Sequence, residues 1–584
     1  MVLAMAVGTV TTLMAYFEME RQSALSEAVS SMMGDMLLSA DPWNKNYRDE
    51  ITIVQVLDNL EQKLQSGALM RGDDYERIRR LGIEAELIST LRYRIAQVRL
   101  STGDFASAES NINIALAELP DDISLDIRSN MELLSAQIRA NLGRNDDGWS
   151  QVETTLSRVD PPADIDDARV FTKAIDALQR LALTDGGRLE RAVDTLERIT
   201  QITIRFFGPE SPEYANSLLS LANMRYYLDI QDPLARANAA TVYAASKRMD
   251  LPDPVLTTDA ARLLVAAGLQ AKGLQAEHKA AALITAEEHL QWSIDTFGET
   301  HGAALSAFSL YSYALAQHGD VQASRDVAFR GFTLFLESGT KSPRLRLEFL
   351  QALAGAAMQL RDFQQCREYA EGGMSISESN PPLHQTFQGL LAECSFNVGK
   401  LVDAKVILDS VVFEDSVQER FWWSLLSKIE LAIGNYEAAM TAADEAIELG
   451  LAASWAIHGV IHRSNGDLEQ ALDAFLAAHQ GGQSASGQAA PGDWLIDVNL
   501  WLTQIALGRQ DHFEDMLGSL SLEGAANHAI VTLVQMAADA AQSKTTDMDE
   551  SERYLQIVED YYGTYTIEYK TAAYSLELIE RRLY

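Results

Sequence analysis

The sequence predicts an all-α fold, a superhelix of stacked antiparallel helix pairs, and three observations support this prediction. Apolar residues recur at three- and four-residue spacing along most of the chain, as they do on one face of a helix. A glycine followed by a polar residue returns at intervals of 35 and 32 residues, at Gly399, Gly434 and Gly466. Proline is scarce, with 13 residues in 584, so long helices can form.

The N-terminal residues form an apolar segment. Residues 2–17 carry no charge, and Glu18, Glu20 and Arg21 follow directly. A helix of this length covers about 24 Å of a hydrocarbon core that is about 30 Å thick. No basic residue precedes the segment and no small-x-small cleavage site follows it, which argues against a signal peptide. We therefore expect residues 1–17 to form a membrane helix that lacks its first turn.

The repeats share one frame. Residues 434–447 read GNYEAAMTAADEAI, and similar frames begin at Gly103, Gly399 and Gly466. The glycine and the polar residue turn the chain between two helices, and the small residues let helix backbones approach closely. This frame resembles the tetratricopeptide repeat. The resemblance implies a solenoid of helix pairs whose first helices line a concave groove.

A second form of the repeat occupies the middle of the chain. Residues 207–215 read FGPESPEYA, and residues 297–301 read FGETH, without a proline after His301. These segments resemble the longer repeats, of about 42 residues, in kinesin-light-chain-like proteins. The two forms together cover most of residues 85–480, which we predict to be the repeat body.

The other boundaries follow composition. We expect residues 18–84 to be a juxtamembrane helical segment. Residues 481–492 read GGQSASGQAAPG and have the composition of a flexible loop. Residues 493–584 keep a helical pattern but lose the repeat frame, which is typical of atypical terminal repeats and a C-terminal cap.

The segment that follows the apolar N-terminus carries a further resemblance. Its apolar pattern, which includes residues 40–42 (ADP) and 51–53 (ITI), is similar to the stretch after the membrane helix in certain bacterial serine/threonine kinases. Those kinases bear tetratricopeptide sensor domains outside the cytoplasm. The resemblance covers residues 18–65 and implies a single-pass protein of the bacterial cytoplasmic membrane with extracytoplasmic repeats. The chain itself has no glycine-rich loop, His-Arg-Asp or Asp-Phe-Gly motif, so any kinase would be a missing segment or a partner.

The sequence contains no catalytic signature that we can identify. It has no Gly-x-Ser-x-Gly, no His-Glu-x-x-His and no phosphate-binding glycine loop. His458 and His462 are four residues apart on one predicted helix face, but both align with interior repeat positions and no third ligand stands nearby. We interpret them as core histidines. We therefore predict a non-enzymatic protein with no cofactor, no bound metal and no evident small-molecule substrate.

Two further features of the composition limit the chemistry. The chain has 83 acidic and 47 basic residues, a formal net charge of −36. Such a surface repels phosphate backbones, so nucleic-acid binding is not expected, whereas a basic partner is compatible with it.

Cys366 and Cys394 are the only cysteines. Buried thiols are the preferred interpretation, and a disulfide between neighbouring repeats is the alternative.

The predicted function is binding on the concave groove. Counting along the repeats places these candidate residues there: Asn216, Asn223, Tyr226, Glu393, Phe396, Lys428 and Arg463. Amides, cations and aromatic rings can hold an extended protein or peptide segment, and we expect residues 386–463 to bind a carboxylate through Lys428 and Arg463. Ordinary surface residues are the alternative for each of them.

Two classes of function follow. The first is a protein-binding scaffold or sensor. The second is the extracytoplasmic regulatory part of a membrane serine/threonine kinase, or of a membrane-bound transcription regulator, whose cytoplasmic effector is missing from this chain.

Overall fold

A computed structural model describes most of the repeat region. The described residues are 23, 53–66, 78–120, 123–248, 253–270, 275–340, 342–377, 381–411, 416–486, 493–509, 525–541, 546–562 and 566–583. All regular secondary structure in these ranges is helical. The chain divides into two compact units, Met1–His318 and Gly319–Tyr584.

The described helices of the first unit follow each other with short connections. They are α1 (Ile53–Gln65), α2 (Glu84–Ser101), α3 (Phe105–Glu118), α4 (Leu125–Asn141), α5 (Asn145–Ser157), α6 (Ile165–Thr184), α7 (Leu189–Phe207), α8 (Pro212–Leu228), α9 (Pro233–Ser246), α10 (Pro254–Leu269), α11 (Gln275–Phe297) and α12 (Gly302–His318).

The described helices of the second unit continue the pattern. They are α13 (Val321–Glu337), α14 (Pro343–Gln359), α15 (Phe363–Met374), α16 (Pro381–Asn397), α17 (Leu401–Asp409), α18 (Ser416–Ile433), α19 (Tyr436–Glu448), α20 (Trp455–Ser464), α21 (Leu468–Ser486), α22 (Asp493–Ala506), α23 (Ala525–Ala541), α24 (Met548–Tyr562) and α25 (Ile567–Leu583).

Within each unit, helices pair and the pairs stack. In the first unit, α2 packs on α3, α4 on α5, and so on to α10 and α11; in the second, α14 packs on α15, α16 on α17, α18 on α19 and α20 on α21. The first helices of successive pairs also contact each other, from α2 through α12 and from α14 through α20. This is a tetratricopeptide-like solenoid arrangement, so the predicted all-α repeat fold is confirmed.

The turn within a pair depends on a glycine and a capping carboxylate. Gly103 has a φ of +81°, a conformation that costs a residue with Cβ about 1–2 kcal/mol. The Asp104 side chain then accepts a hydrogen bond from the Ser107 N–H (3.2 Å) and caps α3. In the corresponding turn between α14 and α15, Arg361 adopts a φ of +61° in place of glycine, and Asp362 caps α15.

The second form of the repeat has its own turn. Gly208 and Gly298 both have a φ of +90°. After the first, the Ser211 hydroxyl caps α8 by accepting from the Tyr214 N–H (3.1 Å). After the second, Nδ1 of His301 accepts from the Ala303 N–H (3.2 Å) and takes over the capping role. The copy without proline therefore keeps the same turn.

The small residues of the frame allow aromatic rings to enter between paired helices. A Cβ placed on Gly459 of α20 would lie 2.6 Å from ring atoms of Phe475 on α21. Phe475 itself is fully buried, as are Ala439, Ala443 and Ala471 beside it. Helices α20 and α21 thus pack with the Phe475 ring in direct contact with the backbone at Gly459.

Cys366 on α15 and Cys394 on α16 form a disulfide, with Cα atoms 5.9 Å apart. Both side chains are fully buried. The structure therefore has the alternative that the sequence left open, a covalent link between neighbouring repeats, rather than two buried thiols.

The prediction of a single-pass protein in a bacterial cytoplasmic membrane is contradicted and we correct it. A span needs about 20 predominantly apolar residues. No helix in the described ranges is both long enough and apolar enough to cross a bilayer. One of the more apolar helices, α22, has only 14 residues, and Asp497 interrupts it. The predicted membrane helix at residues 1–17 lies outside the described residues, as does much of 18–84.

The helix bounds near the C-terminus differ in detail from those that the composition predicts. α21 extends to Ser486, into the segment for which composition predicts a loop, and residues 487–492 lie outside the described ranges. Beyond it, α22 to α25 form a shared apolar core that contains Trp501, Leu533 and Val558.

Candidate functional site

The first candidate surface is carried by α8, a first helix of the first unit. Asn216 is exposed and Asn223 is half-buried. The two residues are seven positions apart, so they share one face of the helix at a spacing of about 10.5 Å. In the ranges that the structure describes, neither side-chain amide forms a hydrogen bond. Two polar groups on one face of α8 are therefore available for hydrogen bonds to a ligand.

Tyrosine rings adjoin these amides. Tyr226 is half-buried on α8, and its ring centroid is 6.1 Å from that of Tyr227 in an edge-to-face arrangement. Tyr227 is 55% exposed, and Tyr313 of α12 is 44% exposed. Burial raises the pKa of Tyr226, and the neighbouring Tyr313 and Tyr227 raise it further. Tyr226 and Tyr227 therefore form an aromatic surface on α8, and Tyr313 is a further accessible ring in the same unit.

The candidate residues of the second unit do not share one accessible surface. Phe396 is 8% exposed and packs in the core with Ala404 and Ile429, so it is not available as an exposed anchor. Lys428 on α18 is exposed. Glu393 on α16 is exposed to solvent. The protein around its carboxyl group raises its pKa, and the positive charge of Lys428 opposes this rise.

Arg463 on α20 is buried, with 4% of its surface exposed. Its Cζ atom lies 4.6 Å from the ring centroid of Tyr574 on α25 and 5.6 Å from that of Phe475 on α21. Burial lowers the pKa of Arg463 to about 10, against smaller opposite effects of Tyr574 and Glu577. The cation therefore lies under the C-terminal helix and not in an open groove.

Sequence reasoning missed the position of α25. Lys570 Nζ donates a hydrogen bond to the Leu431 carbonyl (3.2 Å) at the end of α18. Thr571 Oγ1 donates to Oδ1 of Asn499 on α22 (2.9 Å). α25 thus contacts the end of α18 and the middle of α22, both of which are far from it in sequence. The sequence feature that points to this contact is the presence of Tyr569 and Tyr574, which the repeat frame does not require.

The two histidines occupy the interior positions that the repeat predicts, to different degrees. His458 is 5% exposed, and its Nε2 lies 3.0 Å from Oδ1 of Asp444. His462 is half-buried, with its ring centroid 6.3 Å from that of His458. Burial lowers the pKa of His458, and Asp444 opposes this. Among the described residues, no group of three or more potential metal ligands is present.

Comparisons with known proteins add little support for the fold and indicate no function. No family model matches the sequence, and no curated protein matches it. Solved structures with some similarity include the apo form of RapI (12% identity, 62% of this chain, 97% of that chain, TM-score 0.40). A Rap protein complexed with Competence and Sporulation Factor has 12% identity over 62% of this chain and 97% of that chain (TM-score 0.36).

A human IFIT1 dimer with m7Gppp-AAAA has 12% identity over 78% of this chain and 99% of that chain, with a TM-score of 0.35. Scores and identities in this range carry no inference about what this chain binds.

Proposed function

We propose that this protein is a non-catalytic scaffold that binds an extended segment of another protein on the first helices of its repeats. The observation that carries the proposal is the amide pair Asn216 and Asn223 on α8, which is accessible and without hydrogen-bond partners in the described structure. An asparagine amide offers donors and acceptors, the complement of a peptide unit. The spacing of about 10.5 Å along the helix matches about three residues of extended chain.

The aromatic surface beside the amides supplies the second component of such a site. Peptide grooves combine hydrogen bonds to the backbone with pockets or rings that contact side chains. Tyr226, Tyr227 and Tyr313 offer apolar ring faces together with hydroxyl groups. A partner segment with apolar side chains and a basic charge complements these rings and the net charge of −36.

The resemblance of residues 207–215 to kinesin-light-chain-like repeats belongs to this proposal, because α8 begins within that segment. We also propose residues 85–480 as the repeat body and residues 493–584 as its cap. The second class of function, a membrane kinase regulator, rests on residues 18–65, most of which lie outside the described ranges. No contact in the described structure favours it.

A peptide-display selection tests the proposal. The whole chain is used as bait, first as wild type and then as the double variant Asn216→Ala plus Asn223→Ala. Asn238→Ala, a half-buried asparagine on the second helix α9, is the matched control. We expect wild type and the control to enrich the same peptides and the double variant to lose them. Equal enrichment by the double variant would contradict the proposed site.

A further inference from the structure

The guanidinium group of Arg463 is buried, and no carboxylate of the described residues forms an ion pair with it. Its side chain is 4% exposed, and Nη1 has no hydrogen-bond partner among the described residues. The rings of Tyr574 and Phe475 flank it, which compensates only part of the loss of hydration. Buried charges in proteins are normally paired, so this cation is an exception that calls for a ligand.

Arg463 borders a cavity of about 590 Å³ between α20 and α25. This volume lies within the range of sites for small organic ligands. The described lining residues include Lys570 and Arg581 as further cations and Glu577 as an acid. Glu577 pairs with Arg581, one turn along α25, and its effect on the pKa of Arg463 is smaller than that of burial. Tyr436 and Tyr574 add hydroxyl-bearing rings to the wall.

The second cation is held in place by its backbone contact. Lys570 Nζ donates one hydrogen bond to the Leu431 carbonyl, and an ammonium group has three donors, so further donors remain. Burial lowers the pKa of Lys570 as well as that of Arg463. For Arg463 this means that the effect of burial exceeds the opposing effects of Tyr574 and Glu577.

We propose that this cavity binds a small organic anion whose carboxylate or phosphate group pairs with Arg463 and Lys570. The planar fork of a guanidinium matches both groups with two parallel hydrogen bonds. The ligand contacts α20 through Arg463 and α25 through Lys570, so it joins the C-terminal helix to the repeats. Occupancy therefore stabilises the docked position of α25. This site is in the second unit and is independent of the amide pair on α8.

Thermal unfolding of the full chain tests the site with two probes, inorganic phosphate and succinate. Sodium chloride at matched ionic strength controls for screening. We expect at least one probe to raise the melting temperature of the wild type saturably, by about 2–4 °C at concentrations well above its Kd. A response to phosphate alone assigns a phosphate-bearing ligand, and a response to succinate alone assigns a carboxylate.

Variants separate this site from general anion effects. Arg463→Met and Lys570→Met should each remove the saturable shift, whatever their own melting temperatures. Arg344→Met changes an exposed arginine on α14 that pairs with Glu348, and it should respond like the wild type. The Lys570 variant keeps the test decisive if the Arg463 variant does not fold. No saturable shift in the wild type beyond that of chloride, or an undiminished shift in the Arg463 or Lys570 variant, overturns the proposal.

Discussion

The Cζ atom of Arg361 lies 4.8 Å from the ring centroid of Tyr562, so a residue in the turn between α14 and α15 contacts the last residue of α24. Arg361 has a φ of +61° at the position where turns of the same frame carry glycine, such as Gly103 and Gly434. The left-handed conformation costs a residue with Cβ about 1–2 kcal/mol. The chain thus keeps a strained turn together with a contact to its C-terminal helices.

Replacing Arg361 with glycine should separate these two effects. We expect Arg361→Gly to relieve the turn, a gain of about 1 kcal/mol, and at the same time to loosen α24 and α25. Hydrogen exchange followed by mass spectrometry should show faster exchange in residues 548–583 and no increase in α14 or α15. Unchanged exchange in the C-terminal helices would show that the Tyr562 contact does not hold them.

Two glycines within helices should respond oppositely to alanine. A Cβ on Gly459 would meet the Phe475 ring at 2.6 Å, so Gly459→Ala should destabilise the protein by about 1–3 kcal/mol. Gly355 on α14 has no atom within 4 Å of such a Cβ, so Gly355→Ala should stabilise it by up to about 1 kcal/mol. Urea unfolding measures both. A Gly459→Ala variant that is as stable as the wild type would contradict the packing of Phe475 on Gly459.

The stability of the first unit should depend on pH through His289. This side chain on α11 is fully buried, and in the described structure neither ring nitrogen has a hydrogen-bond partner. Burial, with smaller contributions from Lys247 and Arg262, lowers the pKa of His289 to about 4. Because the unfolded chain binds a proton near pH 6.5 and the folded one does not, stability falls as the pH drops from about 6.5 to 4.

The variant His289→Leu isolates this dependence. Between pH 7 and pH 5 the wild type should lose about 2 kcal/mol more of its unfolding free energy than the variant does. Chemical unfolding at the two pH values gives the difference directly. Equal losses in both proteins would mean that His289 is not buried as a neutral ring.

The disulfide between Cys366 and Cys394 should stabilise the second unit. A cross-link that closes a loop with a sequence separation of 28 residues removes about 3–4 kcal/mol of chain entropy from the unfolded state. Thiol titration of the denatured, unreduced protein should find no free thiol, and reductant should lower the midpoint of urea unfolding. The double variant Cys366→Ser plus Cys394→Ser should be insensitive to reductant. Two titratable thiols in the unreduced wild type would contradict the disulfide.

The sequence predicts the repeats well where their chemistry is local. The turn at Gly103 and Asp104 needs only a left-handed residue and a capping carboxylate, and both are visible in the chain. The turn at Arg361 carries no such signal, because an arginine occupies the glycine position.

The candidate site was harder to predict, because burial depends on distant contacts. Arg463 does lie on a first helix, but Tyr574, which is 111 residues later in the chain, covers it. The repeat pattern of the sequence does not reveal this contact. Phe396 points into the core, because Ile429 of the next first helix is packed against it. The accessibility of Asn216 and Asn223 agrees with the count along the repeat, while their role in binding stays a prediction.

The most direct test of the proposed scaffold is the affinity of a display-selected peptide, measured by isothermal titration calorimetry. Each lost hydrogen bond costs about 0.5–1.5 kcal/mol. The double variant Asn216→Ala plus Asn223→Ala should therefore bind roughly 10- to 100-fold more weakly than the wild type. Asn238→Ala on α9 should bind with the wild-type Kd. A double variant that binds with an unchanged Kd would show that the amides of α8 do not hold the partner.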